Sequence, residues 1–104
     1  MLPNDGRWYA LPYDKNGYSQ KVFWGQKGYQ IEQEPQPELV VTGRRLDAEA
    51  PLLKAYPATN GYHPDTGDFM LVEVDIPTPG CWEISGEYHG NRLSFVIWVA
   101  PGSR

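Results

Sequence analysis

Three groups of side chains in this chain are of types that do chemistry. The densest polar cluster is His63-Pro64-Asp65-Thr66-Gly67-Asp68, in which His63, Asp65 and Asp68 would converge on a divalent cation if the loop curled around it. The order does not match an EF-hand loop, which needs its Gly and a terminal Glu at fixed offsets. Pro-Asp-Thr-Gly is good β-turn chemistry without any metal, so the turn is the stronger reading. The single cysteine, Cys81, paired with His63 or His89 would give the minimum thiolate–imidazole couple for nucleophilic catalysis. A Cys at the start of a strand next to Trp82 is more often a small packing residue, and that reading is preferred. The third group is aromatic. Trp8, Tyr9, Tyr13, Tyr18, Phe23, Trp24 and Tyr29 crowd the first third of the chain, and Trp98 stands near its end. Exposed flat rings stack on sugar faces or anchor a protein partner, because they bury much area for little lost side-chain freedom. Trp8, Trp24, Tyr62 and Trp98 form the candidate ligand-binding set. Core filling is the competing role, since large aromatics are more often buried than displayed.

No Gly-x-Ser-x-Gly elbow is present, and Ser85 has no recognisable base at a fixed spacing. Paired carboxylates across a cleft are not indicated either. Strand periodicity puts Glu73 and Asp75, like Glu83 and Glu87, on solvated faces. No catalytic residue and no cofactor is expected.

The elements that must position these residues are most legible in the last third. Phe69 to Ile76 alternates, with Met70, Val72, Val74 and Ile76 on one face. Pro77-Thr78-Pro79-Gly80 removes two backbone donors and ends on a residue free to take positive φ, so the chain turns there. In Cys81 to Tyr88 the apolar set is Trp82, Ile84 and Tyr88, while Glu83, Ser85 and Glu87 face water. Gly86 falls on the inner face, a position suited to admit a neighbouring ring. His89-Gly90-Asn91 supplies hairpin chemistry. In the return strand Leu93, Phe95, Ile97 and Val99 form the inner face, and apolar Val96 and Trp98 imply either a second cover or an exposed aromatic.

Upstream, Glu38 to Leu46 is rich in β-branched residues and reads as a strand. Leu52 to Tyr56, bracketed by Pro51 and Pro57, is a shorter strand candidate, with one helical turn from Asp47 as the alternative. Ala58 to Asp68 carries Asn60-Gly61 and Pro64-Asp65-Thr66-Gly67 and reads as a long loop. Tyr18 to Trp24 and Tyr29 to Glu32 are further short strands, separated by Gly25-Gln26-Lys27-Gly28. No window shows a clean helical period.

Composition agrees. Gly 11 and Pro 10 in 104 residues favour turns over helices without reaching the excess of a low-complexity tract. A hydrophobic fraction of 40% with 13% aromatic suits one compact core. One domain spanning residues 1–104 is expected, aromatic and turn-rich over 1–33 and best defined over 34–104. Lys+Arg 9 against Asp+Glu 13 gives −4, a field that repels phosphate backbones, and Arg44-Arg45 is the only basic run, so nucleic acid is not an expected partner. A lone Cys excludes an intrachain disulfide. Met1 to Arg7 lacks the basic and apolar regions of a signal peptide, leaving a cytoplasmic protein or a chain that begins after a removed leader. The longest apolar stretch, Phe95 to Ala100, is too short to span a bilayer as a helix.

Several short strands at this spacing predict an all-β antiparallel sandwich of about seven strands. Phe69 to Ile76, Gly80-Cys81-Trp82 and Leu93 to Val99 together resemble the last three strands of immunoglobulin-like sandwiches in bacterial envelope proteins. More narrowly, Val41-Thr42-Gly43-Arg44-Arg45-Leu46-Asp47 with Gly80-Cys81-Trp82-Glu83-Ile84 is similar to a group of bacterial extracytoplasmic domains. The resemblance implies a bacterial envelope or extracellular setting and a non-catalytic interaction or structural role, with a protein or polysaccharide partner and a monomeric chain. Carbohydrate binding through exposed Trp and Tyr is the alternative, ahead of a metal-binding sandwich or an enzyme.

Overall fold

The computed structural model describes residues 7–8, 11–25 and 28–102. Met1 to Gly6, Tyr9, and Gln26-Lys27 of the expected separating segment lie outside the described residues. The chain runs β1 (Arg7–Trp8), β2 (Tyr13–Asp14), β3 (Gly17–Trp24), β4 (Leu39–Arg45), β5 (Lys54–Ala55), β6 (Thr59–His63), β7 (Gly67–Ile76), β8 (Gly80–Tyr88) and β9 (Asn91–Val99). Among the described residues there is no helix, hence none long and apolar enough to cross a membrane.

The strands form two sheets in a sandwich-like, all-β arrangement. A four-stranded sheet has the order β1-β9-β8-β4, and a five-stranded sheet the order β2-β3-β7-β5, with β6 also pairing β7. Every pairing is antiparallel except β1 with β9. The core lies between the sheets, where the period-2 alternation aims one face of each strand. Val22, Met70, Val72, Val74 and Ile76 are buried from one sheet, and Val41, Trp82, Ile84, Ile97 and Val99 from the other.

Two turns work as the residue types require. Gly80 closes the β7–β8 corner at φ +127, a region side-chain-bearing residues avoid. His89 (φ 48) and Gly90 (φ 83) join Tyr88 to its register partner Asn91 as a two-residue hairpin with both central residues at positive φ. Gly86 admits a ring as expected, because a Cβ there would sit 2.6 Å from Trp24 Cζ3.

The structure corrects four local readings. Thr59 to His63 is not part of a loop but a strand, made possible because β7 extends far enough to pair with it from Thr59↔Leu71 to His63↔Gly67. Tyr29 to Glu32 is not a strand; Gln33 and Glu34 both donate their N–H to the Gln30 carbonyl, closing a turn. Asp75 and Ser85 alternate outward yet are buried: Asp75 accepts hydrogen bonds from Ser19 Oγ (2.8 Å) and Tyr56 OH (2.5 Å), and Ser85 Oγ lies 2.7 Å from Ser94 Oγ. Leu93 has inner-face parity but is 62% exposed, because it stands at the open mouth of the sandwich beside Trp24 and Gly86.

Candidate functional site

The structure disperses the aromatic quartet. Trp8 and Trp24 are 1% and 6% exposed, so neither offers a ring face to a ligand. Both belong to the core cluster, and Trp24 packs against Phe95 in a tilted arrangement with centroids 5.6 Å apart. Tyr62 is 65% exposed and Trp98 39%, but Tyr62 is on β6 of one sheet and Trp98 on β9 of the other. They cannot form one platform.

The proposed metal ligands do not converge. His63, the last residue of β6, and Asp65, in the turn that follows, are both exposed, with the Asp65 N–H donating to His63 Nδ1 (3.1 Å). Asp68 turns away to accept the Ile31 N–H at 2.9 Å. Among the described residues no group of three His, Cys, Asp or Glu side chains is placed to hold a metal ion. Cys81 is the second residue of β8, whereas His89 lies just past its far end, roughly 26 Å away at 3.3 Å per residue. His63 belongs to the other sheet. No thiolate–imidazole couple forms.

The segments that carried the family resemblance do meet, at the corner joining β4 to β8. Leu46 donates its N–H to the Cys81 carbonyl (2.8 Å). Asp47 Oδ1 accepts Arg45 Nε–H (2.8 Å) and the Cys81 N–H (3.2 Å). The hydrogen bond from Arg45 holds the Asp47 carboxyl below the usual carboxylate range. The Arg45 side chain lies across Gly80, where a Cβ would come within 2.5 Å of Nε. Trp82 Nε1–H reaches back to the Thr78 carbonyl (2.9 Å). These contacts among Arg45, Leu46, Asp47, Gly80, Cys81 and Trp82 build a corner.

Ionisable groups do converge on one cleft, of about 270 Å³, lined by Tyr29, Glu34, Tyr88 and His89 among others. Sequence reading missed it, because Glu34 and Tyr88 are 54 residues apart. Tyr88 OH donates to Glu34 Oε1, the Glu38 N–H donates to Glu34 Oε2 (2.8 Å), and His89 Nε2 is 3.4 Å from the same oxygen. His89 stacks on Tyr88 at 3.9 Å between centroids. The Tyr88 bond, ahead of the others, lowers the Glu34 pKa, and burial followed by the Glu34 bond pushes Tyr88 up to about 12. Tyr29 OH donates to the Glu34 carbonyl at 2.9 Å. Both Glu34 carboxylate oxygens are therefore occupied by partners from the fold. The arrangement pins the 28–38 loop to the β8–β9 turn, and Asn60 Nδ2 adds a further tie to the Pro35 carbonyl at 2.5 Å.

The outer face of the five-stranded sheet is different in character. Phe23 is 45% exposed and its ring packs on Phe69 at 4.9 Å and 35°. Phe69 in turn lies over Gly61, where a Cβ would fall 2.6 Å from the ring. Leu71 is the register partner of both Phe23 and Thr59, and Lys21 pairs with Glu73 one step along the same face. The result is a fixed apolar patch with a charged rim. Comparison with protein family models, curated proteins and solved structures finds no match for this chain.

Proposed function

We propose that the chain is an immunoglobulin-like sandwich serving as a non-catalytic interaction module, which meets a protein partner through the face around Phe23, Phe69 and Leu71. The observation that carries the reading is the exposed Phe23 ring, held against Phe69, which Gly61 seats. Rings already fixed lose little freedom on contact, and buried aromatic anchors dominate protein interfaces. Lys21 and Glu73 supply the polar rim such a centre requires.

Strand order supports the immunoglobulin-like part. Immunoglobulin sandwiches carry strands A, B, E and D in one sheet and C, F and G in the other. Here β2-β3-β7 with β5 and β6 stand opposite β4-β8-β9. Taking β5 and β6 as one interrupted strand gives seven positions, with β1 as an addition. The Trp82 bond to Thr78, four residues back at the start of β8, occupies the place of the tyrosine corner. A bacterial envelope or extracellular setting belongs to the same proposal and is supported by the motif resemblance.

Photo-crosslinking from position 71 in the native host, with position 48 as an exposed control, tests the face. Crosslinks from 71 and not from 48 are expected. The partner, once purified, should bind Phe23→Ser at least about tenfold more weakly, the loss typical of a moderate anchor. Equal crosslinking from both positions, or undiminished binding by Phe23→Ser, would overturn the assignment.

A further inference from the structure

The outer face of the four-stranded sheet holds a second concavity, and it has a different chemistry. Its volume is about 250 Å³, with Thr42, Arg44, Leu52, Glu83, Ser85 and Arg92 in its lining. That is below the range of drug-sized pockets and suits one small ring. The register arranges its floor in rows. Thr42 pairs with Ser85 and Ser85 with Ser94, giving three hydroxyls side by side across β4, β8 and β9. On one side of this row Arg44 pairs with Glu83, Nε to Oε1 at 3.1 Å. On the other side Glu87 pairs with Arg92, loosely at 3.9 Å. Leu52, 75% exposed, is the exposed apolar wall, and the buried Leu53 also contributes to the lining.

The geometry points to a binding subsite for a neutral pyranoside sugar. Arg44 and Arg92 in the lining are matched by Glu83 in the lining and by Glu87 just outside it, so the local field gives little net gain to an anion or a cation. A sugar hydroxyl donates and accepts at once, and this floor offers both functions in alternation. The Ser85–Ser94 pair shares one hydrogen and keeps another O–H to donate outward. Arg44 spends only Nε on Glu83, which leaves its terminal nitrogens as donors. Ser85 is 5% exposed and fixed by Ser94, so the floor is organised before a ligand arrives. Leu52 provides the surface on which the C–H face of a ring rests. This inference is independent of the protein-binding face, which lies on the opposite sheet.

The test is an amide chemical-shift titration of the whole chain with methyl glucopyranoside, galactopyranoside and mannopyranoside, and with glucuronate and glucosamine as charged probes. Saturable shifts at Thr42, Arg44, Leu52 and Ser85 with at least one neutral glycoside are expected, with millimolar affinity. Leu52→Ser and Thr42→Val each alter an exposed side chain, so the fold should persist. Each should weaken binding by about three- to tenfold, the worth of one contact. The absence of saturable shifts with all three neutral glycosides, shifts that survive both substitutions, or tighter binding of either charged probe would each overturn the assignment.

Discussion

Gly86→Ala is the substitution whose outcome the structure constrains most tightly. An ideal Cβ at Gly86 lies 2.6, 2.7 and 2.9 Å from Cζ3, Cη2 and Cε3 of Trp24, whereas carbon atoms prefer about 3.5–4.0 Å. Relief requires a shift of about 1 Å on one side. The backbone cannot readily supply it, since β8 is hydrogen-bonded to β9 and to β4 on its two flanks. The ring must move instead, and Trp24 is 6% exposed and packed against Phe95. Overpacking of this kind costs about 1–3 kcal/mol. It has to exceed the gain of about 0.4–1 kcal/mol from restricting the unfolded chain. For a domain near 100 residues each net kcal/mol lowers the melting temperature by about 4–8 °C. Gly25, with nothing within 4 Å of its Cβ, is the control, and Gly25→Ala should be neutral or mildly stabilising. The decisive assay is a double-mutant cycle by thermal and urea unfolding. Trp24→Leu removes the obstructing ring, so Gly86→Ala should cost less in that background, with a coupling of about 1–3 kcal/mol. A neutral Gly86→Ala in the wild-type chain, or strict additivity with Trp24→Leu, would refute the steric argument.

Other expectations follow from the corner at Gly80 and from the Glu34–Tyr88 hydrogen bond. Gly80→Ala meets both a φ of +127 and the Arg45 side chain at 2.5 Å, and should destabilise by about 1–3 kcal/mol, measured by urea unfolding. The Glu34 carboxyl, lowered from 4.5, contributes stability that is fully present above that pH and is lost as pH falls through its folded value. Glu34→Gln should therefore flatten the acid limb of the melting temperature against pH. Tyr88, raised from 10.0 to about 12, contributes stability that is complete below pH 10 and is lost between the two values. Tyr88→Phe should make the alkaline limb shallower; an unchanged limb would show that the phenol is not protected by the fold.

What could be read from the residues alone was set by the range over which the controlling interactions act. Alternation is local, so Met70, Val72, Val74 and Ile76 were assignable to the core without knowledge of their partners. The Pro77-Thr78-Pro79-Gly80 corner and the His89-Gly90 turn were assignable too, because backbone freedom belongs to the residue itself. Thr59 to His63 was not. Its polar, glycine-containing sequence has little strand preference, and it pairs because β7 offers an edge and because Gly61 accepts the Phe69 ring. Outward parity was also an incomplete guide to solvent. Asp75 has the parity of an exposed residue and is covered by Tyr56, which arrives from the segment after β5.

The same distinction explains why the candidate sites escaped the sequence. Residue type alone singles out Trp8, Trp24, Tyr62 and Trp98, yet exposure is decided by what the other sheet places opposite each ring. Trp24 faces a glycine and sinks into the core, whereas Phe23, one residue earlier, has the opposite parity and stays at the surface. Parity taken before residue type singles out Phe23 and Phe69 over Trp24 as surface aromatics. The hydroxyl row has no such signature. Thr42, Ser85 and Ser94 are ordinary strand residues until the β4–β8 and β8–β9 registers align them, and a slip of one residue in either pairing would disperse them. That register is fixed by the buried side of the same strands, where Val41, Ile84 and Ile97 must face inward. The residues that hold the core together therefore also determine which polar groups meet on the outer face.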